Sequence, residues 1–68
     1  MDYKEKVLTL YPNAICERHI DYHESYWFSI YNYSSPGKYL INSQENEEEA
    51  WENAWKEIER EALRRLST

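Results

Sequence analysis

The sequence predicts one α+β domain spanning residues 1–68, ordered helix, strand, strand, strand, helix (α-β-β-β-α), with a three-stranded antiparallel sheet carrying both helices on one face. Three observations predict it. Apolar residues recur at helical spacing over residues 46–66. Three β-prone runs lie between residues 13 and 41 with short polar links, as in an antiparallel meander. A proline at position 12 closes a first helical segment, because the residue before proline is pushed out of helical geometry.

Residues 2–10 read as the first helix. Asp2 is placed to cap it and Glu5 stands three residues on, a capping-box spacing. Val7, Leu8 and Tyr11 form its apolar stripe, with Tyr3 or Lys4 beneath. Residues 13–20 read as a strand, with Ala14, Cys16 and Arg18 on one face and Ile15, Glu17 and His19 on the other. Residues 21–25 are polar and read as a connection. Residues 26–33, Tyr-Trp-Phe-Ser-Ile-Tyr-Asn-Tyr, are rich in residues that suit a pleated surface. Pro36 and Gly37 then suit a type II turn, and residues 38–41 a short third strand.

The last helix has Asn46 as N-cap with Glu49 completing a capping box. Glu47, Glu48 and Glu49 occupy the end where the helix dipole favours acids, and Arg64 and Arg65 the end where it favours bases. Ala50, Trp51, Ala54, Trp55, Ile58, Ala62 and Leu66 share one face, with Leu63 off it. Glu52 and Lys56, and Glu61 and Arg65, stand four apart in the favourable order.

Sixty-eight residues bury a modest core, and a single cysteine, Cys16, rules out an intrachain disulfide. Three Trp, seven Tyr and one Phe must fill that core, each large ring burying roughly 150–250 Å². No apolar run has the length of a signal peptide or membrane span, so an intact cytoplasmic protein is expected. The formal charge is −5, and residues 45–68 carry eight acids against four bases. That balance opposes tight binding to nucleic-acid phosphates, which depends on Lys and Arg, and favours a basic protein partner.

The Phe28/Ile30 side of the second strand is assigned to the core, with Ala14, Cys16 and Leu40. The other side carries Trp27, Tyr31 and Tyr33, with Tyr39 and Ile41 or Ile15 nearby. An uncovered sheet face normally turns polar. An aromatic one has three readings: rings that shield strand hydrogen bonds, a protein interface or homodimer seam, and a base-stacking platform. His19, Asp21, His23 and Glu24 are metal-capable side chains, but they fall where a hairpin connection is expected to be polar, so no metal or other cofactor is assigned. Cys16 on a core face is an ordinary buried thiol, and no third group orients it with His19 as a catalytic pair. The run from Glu45 to Glu52 supplies helix-start charge or a negative docking surface. One glycine excludes a glycine-rich phosphate loop.

The element order and length resemble the double-stranded-RNA-binding domain. That family contacts RNA through a basic start to its second helix. Here the matching segment is Asn46-Glu47-Glu48-Glu49, so the resemblance implies the fold but not the activity. The segments Leu10-Tyr11-Pro12-Asn13-Ala14, Tyr26-Trp27 and Glu47-Glu48-Glu49-Ala50-Trp51-Glu52-Asn53-Ala54 resemble small proteins encoded by bacteriophages and prophages. That resemblance implies expression in a bacterial host cell and binding to a host or phage protein, such as a defence or nucleic-acid-processing factor. The expected contacts are Trp27, Tyr31, Tyr33 and Tyr39, with Glu47, Glu48 and Glu52 adding charge. No enzyme activity is expected. A nucleic-acid-binding domain and a structural homodimer are the competing readings.

Overall fold

The computed structural model describes residues 2–34 and 37–66. In it, helix α1 (Tyr3–Leu10) is followed by strands β1 (Ala14–Ile20), β2 (Tyr26–Asn32) and β3 (Lys38–Gln44), then helix α2 (Glu47–Leu66). The strands form an antiparallel sheet in the order β1-β2-β3. This is the predicted α+β architecture. Among the described residues no helix is long and apolar enough to cross a membrane. The expected type II turn includes Ser35 and Pro36 and lies outside the described residues.

Local chemistry sets the helix ends. Asp2 Oδ1 accepts a hydrogen bond from Glu5 N at 2.8 Å, and Asn46 Oδ1 accepts one from Glu49 N at 2.8 Å. Each side chain satisfies an N–H that the first helical turn leaves without a partner. At the end of α1, Tyr11 N donates to Val7 O at 2.7 Å before Pro12 stops the run.

Val7, Ala14, Ile30, Leu40, Ala50, Trp51 and Ala54 make the core, with Cys16, Phe28, Ile41, Trp55 and Ile58 packed against it. Ala50 and Ala54 are fully buried, and their small size lets α2 lie close on the sheet while Trp51 fills the space beside them. Burying Ile30 alone is worth roughly 1.5–3 kcal/mol. α1 lies alongside α2. Lys4 Nζ stands 5.9 Å from the Trp51 ring and Lys6 Nζ 5.7 Å from that of Trp55, so each ammonium lies over an indole face.

Three expectations are corrected. The buried stripe of α2 stops at Ile58, and Ala62 and Leu66 are exposed, Leu66 at 82%. Twenty helical residues span about 30 Å, whereas a seven-residue strand spans about 23 Å, so the helix outruns the sheet that would cover it. β3 runs three residues past Ile41. Its register against β2 shifts on both sides of Ile30, and Ser43 sits at φ 58°. Leu40 faces the core by alternation from Tyr39, and the shift sets Ile41 opposite Ile30 so that it too packs against the core, leaving Ile15 as the aliphatic neighbour of the aromatic face.

Candidate interaction surface

The strand register defines the open face. Ile15 pairs with Tyr31, Glu17 with Ser29 and His19 with Trp27, so these six side chains point away from α2. Tyr39, paired with Tyr31, and Tyr33, which extends β2 by one bond from its N–H to Asn13 O at 3.2 Å, complete the face. The expected Trp27, Tyr31, Tyr33 and Tyr39 are therefore brought together.

The rings form two groups. At one end the His19 imidazole stacks on Trp27, with centroids 5.3 Å apart and planes 15° from parallel. At the other, Tyr31 meets Tyr33 and Tyr39 edge-on at 4.6 and 4.7 Å. Such edge-on packing places the positive ring edge on the negative face of its neighbour. Glu17 stands between the groups. Its Oε2 accepts a hydrogen bond from Tyr33 Oη at 3.1 Å. Its Oε1 is buried, has no hydrogen-bond partner among the described residues, and lies 3.8 Å from His19 Nε2. Beneath, Ser29 is fully buried and its hydroxyl donates to Asn42 Oδ1.

Electrostatics follow from this layout. The Tyr33 phenol is pushed above its ordinary pKa by its hydrogen bond to Glu17 and then by that carboxylate's charge. Tyr39 is raised by partial burial first and by the charge of Glu17 second. On the other side of the sheet, burial pushes the Cys16 thiol up and the charge of Glu47 adds to it, which disfavours a reactive thiolate.

Glu47, Glu48 and Glu52 do not join this surface. They lie on α2, which packs against the opposite side of the sheet. Glu47 Oε1 accepts from Trp51 Nε1 at 3.3 Å, and Glu52 binds Lys56 Nζ at 2.8 Å. Glu48 lines an open cleft of about 420 Å³ between the helix starts, with Asp2, Tyr3, Lys4, Glu47 and Trp51. The seven expected contact residues thus divide into two surfaces facing opposite ways.

His23 and Asp21 serve the β1–β2 hairpin. Asp21 Oδ1 accepts from His23 N at 2.8 Å and from Ser25 N at 2.9 Å. Among the described residues no three His, Cys, Asp or Glu side chains gather as metal ligands. Ile15, Glu17, Ser29 and His19 are the members of the open face absent from the expected contact set. Alternation already placed Glu17 and His19 in phase with Ile15, so a carboxylate within an aromatic face was the available signal.

Neither a family model, nor a curated protein, nor a solved structure matches this chain.

Proposed function

We propose that this chain is a small acidic accessory protein of phage type, without catalytic activity of its own, that binds a protein partner through the open sheet face. The observation that carries this reading is the gathering of Trp27, Tyr31, Tyr33, Tyr39 and Ile15 on a face to which neither helix is joined. Tyr33, Tyr39 and Ile15 are 52%, 47% and 43% exposed, a large apolar investment to leave in water. Tyrosine and tryptophan are the residues that protein interfaces favour. The resemblance of the segments around Leu10 and Glu47 to phage-encoded proteins points toward a host defence or nucleic-acid-processing factor as the partner.

Immobilised protein exposed to bacterial lysate tests this. A partner is expected to be retained by the wild type and lost with Trp27→Ala and with Tyr31→Ala. Identical retention by all three proteins would sink the reading. Glu48→Lys, on the opposite surface, reports whether the acidic helix start takes part. Homodimerisation through the same face is the second reading, favoured by the exposed Ile15. It predicts a dimer in light scattering that Tyr31→Ala converts to monomer.

A further inference from the structure

The charge of the open face narrows what can dock there. Its central charged group is Glu17. All eight lysines and arginines of the chain lie elsewhere. Lys4 and Lys6 are on α1; Lys56, Arg60, Arg64 and Arg65 are on α2. Lys38 Nζ reaches Glu61 of α2 at 3.8 Å. Arg18 is in register with Phe28 on the core side, its guanidinium 5.6 Å from the Tyr26 ring. A phosphate backbone finds no counter-charge here, whereas a cation finds a carboxylate flanked by π-faces.

Glu17 is also incompletely satisfied. Tyr33 Oη donates to Oε2, the Tyr39 phenol is raised by burial and also by hydrogen bonding to this carboxylate, and among the described residues Oε1 is buried without a hydrogen-bond partner of its own. A buried acceptor left unpaired is costly, and a donor that reaches it recovers that cost. The groups around it are ring side chains on strands, which can turn about χ1 without disturbing the backbone.

We propose that the open face recognises a basic segment of a protein partner by seating one arginine side chain at Glu17, between the Tyr31/Tyr33/Tyr39 group and the His19/Trp27 stack. Arginine fits better than lysine for two physical reasons. Its planar guanidinium stacks on aromatic faces, and its fork of N–H donors meets a carboxylate with two hydrogen bonds. The inference rests on the protein-binding reading above and gives that partner its chemistry.

Titrating labelled protein with a hexa-arginine peptide while recording amide NMR shifts tests it, with hexa-lysine and hexa-glutamate as comparison probes. Perturbed residues should cluster at Ile15, Glu17, Trp27, Tyr31 and Tyr39. Glu17→Gln, which preserves shape, should weaken hexa-arginine binding roughly tenfold, and Glu17→Lys should weaken it further. Glu48→Gln, on the far surface, should change it less than twofold. Shifts confined to residues 47–52, or equal binding by wild type and Glu17→Gln, would overturn the proposal. So would hexa-lysine binding as tightly as hexa-arginine. The wider reading is judged separately. Partner retention that depends on Trp27 and Tyr31 but not on Glu17 removes the arginine and leaves the interface, whereas dependence on none of the three removes both.

Discussion

Tyr33 Oη donates a 3.1 Å hydrogen bond to Glu17 Oε2, joining the far end of β2 to the middle of β1 across the open face. Because Tyr33 is half exposed, the bond adds little stability, but it orients the carboxylate.

That bond predicts a titration. It requires neutral phenol, and ionising Tyr33 would both remove the donor and set a phenolate beside a carboxylate. The folded pKa is therefore raised above the ordinary value of 10.0. The sign for stability follows from linkage: a raised folded pKa means the contribution is fully present below the unfolded value and is lost as pH rises through the folded one. The loss should begin above pH 10 and leave neutral pH untouched. Carbon NMR of labelled tyrosine should show Tyr33 and Tyr39 ionising above the ordinary tyrosine value of 10.0. Glu17→Gln should bring Tyr33 down more than Tyr39, whose shift owes most to burial. Unchanged titration of Tyr33 in Glu17→Gln would show that the bond does not persist in solution.

The same residues show how far the sequence can be read. Capping at Asp2 and Asn46, the strand core around Ile30 and the gathering of Trp27 with Tyr31 all follow from local spacing, because a two-residue or 3.6-residue period fixes which side chains share a face. The second half of β3 does not follow. Asn42, Ser43 and Gln44 are poor strand formers. They are held by Ser29 Oγ donating to Asn42 and by Asn53 Nδ2 donating to Gln44 Oε1 at 2.6 Å, contacts made only once the sheet and α2 have met. The reach of α2 beyond the sheet was hidden for a similar reason. Periodicity records which way a side chain faces, not whether anything lies opposite it. The split between the aromatic and acidic surfaces likewise depends on which side of the sheet receives α2.

The hairpin between β1 and β2 carries a removable strain. Glu24 sits at φ 61°, a left-handed conformation that costs a residue with a Cβ about 1 kcal/mol. Asp21 imposes it: its side chain accepts from His23 N and Ser25 N, its N–H donates to Ser25 O at 2.9 Å, and its carbonyl accepts from Glu24 N at 3.1 Å. Glycine adopts this conformation freely but loses more freedom on folding, so the two effects partly offset. Glu24→Gly should gain about 0.5 kcal/mol or less, raising the melting temperature by no more than about 4 °C. Glu24→Val should lose about 1 kcal/mol. In urea unfolding Glu24→Val should fall below wild type while Glu24→Gly matches or exceeds it, and a Gly variant clearly less stable than wild type, or a Val variant equal to it, contradicts a strained Glu24.

Gly37 offers a way to disturb the open face without altering a residue on it. A Cβ at this position would lie 2.5 Å from Tyr31 Oη and 3.0 Å from Cζ, so the phenol rests on the bare backbone where the chain enters β3. The obstructing atoms are the far end of a side chain that can swing, so Gly37→Ala should cost about 1 kcal/mol or less in stability. The swing itself matters more. Tyr31 packs edge-on against both Tyr33 and Tyr39, and displacing its ring opens the group that flanks Glu17. Ring-proton shifts of Tyr33 and Tyr39 should therefore move in Gly37→Ala, and hexa-arginine binding should weaken while the urea midpoint stays close to wild type. A variant that unfolds much more easily would make Gly37 a structural glycine. One that keeps both its ring shifts and its binding would mean that the arrangement of Tyr31, Tyr33 and Tyr39 plays no part in recognition.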